Sequence, residues 1–117
     1  MSEDEIFAQR MRLAKLLDIY KGLLTEKQKL CLQLYFDDDL SISEISEELK
    51  VSRQAVHDLL KRVESILERY ESTLEILSRE EKLQKQLEIA IRLLQQESLP
   101  KSDEALGILQ RLRSEGR

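Results

Sequence analysis

Apolar residues along this 117-residue chain recur every three or four positions almost throughout, the period of a helix with one buried face. Between Glu5 and Leu24 they are Ile6, Phe7, Met11, Ala14, Leu17 and Leu24, with the charges of Arg10, Arg12, Lys15 and Asp18 mostly between them. After Gly22, Thr25 stands three residues before Gln28, the spacing of a capping box. The helix it opens carries Leu30, Cys31, Leu34 and Tyr35 on one face. The acidic run DDDL interrupts the pattern. Ser41 or Ser43 then caps a short helix in SISEISEEL, with Glu44 three residues after Ser41 and Ile42, Ile45 and Leu49 facing inward.

Ser52 is the next cap. From it one stripe runs through Ala55, Val56, Leu59, Leu60, Val63, Leu67, Tyr70, Leu74 and Leu77, about seven helical turns. Leu83, Leu87, Ala90, Ile91 and Leu94 continue it. The polar SREEK from Ser78 to Lys82 is either a break or a solvated turn of one long helix. Pro100 ends the stretch by about Ser98, because the residue before a proline avoids the α region. Ser102 then caps a short helix with Leu106, Leu109 and Leu112, weakened by Gly107. The expected architecture is all-α: residues 1–97 form one helical domain with a helix-turn-helix core at about 25–70, and residues 98–117 form a tail.

Composition agrees. Aromatics are only 4% of the chain, with three Gly and one Pro, whereas strands favour aromatic and β-branched residues and turns consume Gly and Pro. No stretch approaches the roughly 18 apolar residues of a membrane span. The acidic start MSEDEIF lacks the basic region of a signal peptide. The single Cys31 fits a reducing compartment. A soluble, cytoplasmic protein is predicted. The three glycines, Gly22, Gly107 and Gly116, are scattered and build no phosphate loop, and no nucleophile elbow is present, so no enzyme is expected. Asp37, Asp38 and Asp39 lack the glycine and closing glutamate of a calcium loop. His57 has no Cys or His partner at ligand spacing. Neither a metal nor another cofactor is expected. Cys31, Tyr20, Tyr35 and Tyr70 read as packing residues.

Between Ile42 and Leu60 the pattern is that of a helix-turn-helix. Ile45, Leu49, Val51, Val56 and Leu59 supply a shared core, Ser46 is the small residue at the crossing, and KVS is the connection. Lys50 occupies the turn position that favours glycine, where a left-handed backbone costs roughly 1–2 kcal/mol. With Ala55, Val56, Leu59 and Leu60 inward, the outer face carries Arg53, Gln54, His57, Asp58 and Lys61, with Arg62 on its flank. Arg53, Gln54 and His57 are placed to reach base edges, since Arg pairs with guanine and Gln with adenine. Lys50, Lys61 and Arg62 are placed for phosphate, and Ser52 caps the helix that presents them. Lys50–Arg62 holds four basic residues and one acidic. Asp37–Glu48 holds six acidic residues and no basic one, within a chain of net charge -4. Because non-specific DNA affinity is electrostatic, that surrounding predicts weak binding to duplex DNA, and the same helix can serve protein or structured RNA instead.

The strings YKGLLTEKQ, LYFDDDLSISEI and VSRQAVHDLLKR followed by LERYE resemble the YlxM-type family, small bacterial helix-turn-helix proteins linked to the signal recognition particle (SRP). The similarity runs from about Leu16 to Leu77, and past Lys82 it is in helical character only. The resemblance implies an all-helical fold with a helix-turn-helix like the fourth region of sigma factors, an added N-terminal helix and long C-terminal helices. It implies a role in the SRP pathway through SRP RNA, the SRP GTPase protein, or both. Its motif covers Ser52, Arg53, Gln54, Ala55, Val56, Asp58, Lys61 and Arg62, and His57 is not carried over from it. The expected function is a non-catalytic binding protein of that pathway; the alternative is a transcription regulator reading duplex DNA with the same helix. The long apolar stripe exceeds what a three-helix head covers, so intramolecular packing, a homodimer or a partner protein must bury it, and a homodimer through the C-terminal helices is the expectation.

Overall fold

The computed structural model of the chain describes residues 2–96 and 100–115. Among them every regular element is a helix: α1 (Glu3–Tyr20), a single 3-10 turn (Lys21–Leu23), α2 (Glu26–Phe36), α3 (Ile42–Leu49), α4 (Arg53–Leu74), α5 (Ile76–Gln95) and α6 (Pro100–Glu115). The all-α expectation holds. The helices form two compact units, Met1–Glu75 and Ile76–Arg117.

The first unit is built around α4, which packs against α1, α2 and α3. Local side-chain chemistry starts each of its helices. The Ser2 hydroxyl accepts from the Glu5 N–H at 3.2 Å, with Glu3, Asp4 and Glu5 in the turn that favours negative charge. Thr25 and Gln28 form a reciprocal capping box, and so do Ser41 and Glu44. In the second, the Ser41 N–H donates to Glu44 Oε1 at 3.1 Å. That backbone bond, then the Ser41 hydroxyl, holds the Glu44 carboxyl below its ordinary pKa. Glu44 therefore supports α3 at any pH above the unfolded-state glutamate value, and the support is lost as pH falls through the lowered folded value. Carbon NMR of the Glu44 carboxyl is expected to place its titration midpoint below that of an ordinary glutamate.

Ile45, Cys31 and Val56 are fully buried at the junction of α2, α3 and α4, with Leu49, Val51, Leu59 and Leu60 packed around them. Burial pushes the Cys31 thiol up, only partly countered by Lys27, so this cysteine is an inert core residue. Leu16, Leu17 and Tyr20 of α1 join Leu32, Val63 and Leu67 in the rest of the core. Arg12 grips Glu68 through two hydrogen bonds of 2.8 and 3.0 Å, and Gln9 donates to Glu64 at 2.8 Å. The buried Tyr20 hydroxyl donates to Glu71 at 2.7 Å. These bonds tie α1 to about two turns of α4, from Glu64 to Glu71.

The turn from α3 to α4 has the strained geometry its sequence predicts. Lys50 is left-handed, with φ 56° and ψ 45°, and the Val51 N–H closes back on the Ser46 carbonyl at 3.0 Å, a helix ending that usually employs glycine. Lys50→Gly is expected to stabilise the protein by about 0.5–1 kcal/mol in chemical denaturation. It relieves the left-handed strain while giving some of it back as added freedom of the unfolded chain.

Several sequence expectations change. On α1 the buried side chains are Leu16, Leu17 and Tyr20, while Ile6, Phe7 and Met11 are exposed. Leu13, Leu16, Leu17 and Tyr20 follow the i, i+3, i+4, i+7 spacing and so form the core-facing row. On α2, Leu32 is buried and Leu30 exposed. The stripe from Ser52 to Leu77 is not one helix: Glu75, left-handed at φ 54°, ends α4, and SREEK lies inside α5. Ser102 is no cap, because α6 begins at Pro100, a residue whose missing N–H suits the first helical position. Ser98, where the preceding stretch was expected to end, lies outside the described residues; α5 itself ends at Gln95.

In the second unit α5 packs against α6. Leu87, Ile91 and Ser102 are buried, and Gln84 donates to the Arg113 carbonyl at 3.3 Å. Part of the stripe for which the sequence demanded a partner is thus covered by α6.

Candidate nucleic-acid interface

α4 begins with its cap in place. The Ser52 hydroxyl accepts from the Ala55 N–H at 3.0 Å, which holds the start of the helix. The first turn contains Arg53 and no acidic residue. A cation at a helix N-terminus opposes the macrodipole, so Arg53 is there in spite of helix stability. Arg53→Glu is expected to raise the unfolding free energy by about 0.3–1 kcal/mol, read from the denaturant midpoint.

Val56 is completely buried and Leu59 and Leu60 are half-buried, which turns the rest of the helix outward. Ala55 is exposed, contrary to the inward placement expected from the stripe. At 100° per residue it falls on the flank of α4 with Arg62, and its methyl group is too small to reach the core. Lys50, Arg53, Gln54, His57, Lys61 and Arg62 are all exposed. They do not form one set. Gln54 donates to Asp58 at 2.8 Å, one turn along the helix, which fixes its amide. His57 Nδ1 lies 3.7 Å from Asp58, and Lys61 lies 3.9 Å from Glu64. Among the described residues Lys50, Arg53 and Arg62 form no ion pair.

His57 and Lys61 also border a second feature that the sequence did not disclose. A cleft of about 310 Å³ lies beneath the N-terminal half of α1, with both side chains on its wall. Leu13, Leu32, Phe36, Leu60 and Leu67 give it an apolar lining. Arg10 stands beside it, 4.4 Å above the Tyr35 ring, bonded to the Tyr35 carbonyl at 3.3 Å and paired with Asp39 at 3.4 Å. The signal available in the sequence was the offset between the two apolar rows of α1, which leaves Ile6 over a gap.

On the other side of the turn, Glu44, Glu47 and Glu48 surround a shallow depression on α3 beside Leu40. The helix before the turn thus carries a carboxylate-rich surface. Among the described residues no helix is long and apolar enough to cross a membrane.

The comparisons with known proteins agree with this helix-turn-helix. Residues 7–106 match the family model UPF0122, described as "Putative helix-turn-helix protein, YlxM / p13 like". That match extends well beyond Leu77 and Lys82, into α6. Similar proteins include a UPF0122 protein of Clostridium botulinum (strain Alaska E43 / Type E3), 51% identical over 70 residues, 60% of this chain and 64% of that one. Another is a UPF0122 protein of Halalkalibacterium halodurans, 51% identical over 72 residues, 62% of this chain and 66% of that one. A third, from Bacillus mycoides (strain KBAB4), is 45% identical over 86 residues, 74% of this chain and 78% of that one. The match spans just under two thirds of the length of the first two relatives. The chain belongs to the UPF0122 family of YlxM / p13-like helix-turn-helix proteins.

Proposed function

We propose that this protein is a non-catalytic, homodimeric accessory of the SRP pathway that holds SRP RNA through the N-terminal end of α4, with the SRP GTPase protein as a further partner. The observation that carries the reading is an exposed, Ser52-capped helix whose first turn presents Arg53 and no carboxylate. Arg53 and the Gln54 amide face base edges, and Lys50 and Arg62 supply phosphate contacts, with Lys61 at the border of the cleft. The link to the SRP comes from the resemblance of VSRQAVHDLLKR and its flanking strings to the YlxM-type family.

RNA is preferred over duplex DNA on electrostatic grounds. Long duplex sites are gripped by many phosphate contacts, and here Lys50–Arg62 holds only four basic residues after the six acidic ones of Asp37–Glu48. Structured RNA offers splayed bases that a compact Arg and Gln pair can read with fewer phosphates. The alternative, a transcription regulator using the same helix, draws its support from the helix-turn-helix itself. A selection at physiological salt separates the two. The chain is presented with a random duplex pool, SRP RNA and the SRP GTPase. Retention of SRP RNA or its GTPase with no enriched duplex supports the proposal; enrichment of one duplex sequence, with the SRP components left behind, reverses it.

A further inference from the structure

Asp58 is the one acidic residue between Lys50 and Arg62, and it stands exposed on the outward face of α4 with Gln54 and His57. A carboxylate on a face proposed to meet phosphate repels the ligand. Its contacts show what it does there. Gln54 Nε2 donates to Asp58 Oδ1 at 2.8 Å. His57 Nδ1 lies 3.7 Å from the same oxygen, beyond hydrogen-bond reach. Arg62 is one turn further along, the spacing of a helical ion pair, yet among the described residues no ion pair joins it to Asp58. The carboxylate is turned to Gln54.

A solvated glutamine amide turns between two placements of its oxygen and nitrogen, because its last torsion is broad and two-fold. A carboxylate only accepts hydrogen bonds, so it takes the amide nitrogen and rejects the oxygen. Asp58 therefore removes one of the two placements. Gln54 is left with Oε1 as an acceptor and one N–H as a donor, in a set order. Adenine answers such a pair with its amino donor beside a ring-nitrogen acceptor, on either open edge. Guanine presents two acceptors on its Hoogsteen edge, and on its Watson–Crick edge the carbonyl and ring N–H stand in the reverse order. A held amide separates these two purines. An amide free to turn fits the reversed order as well.

We infer that Asp58 is a positioning residue, which holds the Gln54 amide so that α4 selects adenine over guanine at the RNA base Gln54 meets. This rests on the RNA-binding reading of α4 above. It also accounts for a negative charge among Lys50, Arg53, Lys61 and Arg62, which lowers overall affinity and raises base selection.

Selection from a pool of SRP RNA randomised at its single-stranded positions tests it. The full wild-type chain, Asp58→Asn and Asp58→Glu are compared at physiological salt and one fixed pH. Wild type is expected to enrich adenine over guanine roughly tenfold or more at one position. Asp58→Asn matches aspartate in size but offers Gln54 a donor as well as an acceptor. It is expected to retain at least as much total RNA as wild type, with the adenine preference lost and circular dichroism unchanged. Asp58→Glu keeps a carboxylate and is expected to keep the preference. A preference unchanged in Asp58→Asn, or lost alike in both variants, overturns the positioning role and leaves RNA binding standing. RNA retained by the wild type with no adenine preference does the same. A wild type that retains no RNA overturns the RNA-binding reading, and this inference with it.

Discussion

Ile45→Ala is expected to lower the stability of the helix-turn-helix unit by about 2–5 kcal/mol. Ile45 is fully buried between Cys31 and Val56 and contacts the residues that fix the angle of α4. Its truncation removes apolar burial and leaves a cavity that the capped helices cannot close, since both ends of α3 are pinned by the Ser41 box and the Lys50 turn. A unit of this size has total stability of only about 5–15 kcal/mol, so the loss is a large share. The measurement is convenient. Tyr20, Tyr35 and Tyr70 are the only tyrosines, the chain has no tryptophan, and all three lie in the first compact unit. Intrinsic fluorescence in urea therefore reports that unit alone. A loss under about 0.5 kcal/mol, the range of ordinary surface changes, would mean that α3 and α4 do not share a cooperative core.

Helix starts were legible in the sequence because their chemistry is local. A hydroxyl at the cap and an amide or carboxylate three residues on bond to neighbouring backbone, so Thr25, Ser41 and Ser52 could be named without knowing the fold. The left-handed turn at Lys50 was legible for a related reason, since the apolar spacing on either side fixes where the turn must fall. The end of α4 was not legible. Glu75 takes a conformation that glycine or asparagine usually marks, and nothing in STLEIL announces it.

The site divides along the same line. Arg53 and Gln54 follow directly from the cap and the buried Val56, and the structure leaves them outward. His57 and Lys61 depended on where α1 lies, a tertiary fact, and they turned out to border the cleft as well as the outer face. The α1 stripe was misread because that helix has two apolar rows. Leu13, Leu16, Leu17 and Tyr20 win the core because they face α4, which leaves Ile6, Phe7 and Met11 in solvent.

Arg53→Glu combined with Arg62→Glu is expected to weaken binding to SRP RNA at least about thirtyfold, taking a contact of each kind as worth about 1–3 kcal/mol. The helix should survive. Both side chains are exposed and form no ion pair among the described residues, and a glutamate at position 53 suits the start of a helix better than the arginine does. Neither residue borders the cleft beneath α1, so the double change leaves that cleft's lining intact. Salt dependence adds a second reading of the same contacts, because each phosphate contact removed lowers the slope of log affinity against log salt by about one.

The most direct measurement is a fluorescence-anisotropy titration of labelled SRP RNA at physiological salt with the wild-type chain and with this double variant. The account predicts saturable binding by the wild type and its loss in the variant, with far-UV circular dichroism the same for both. Equal affinity of the two proteins for the RNA, or no binding by the wild type, would contradict it.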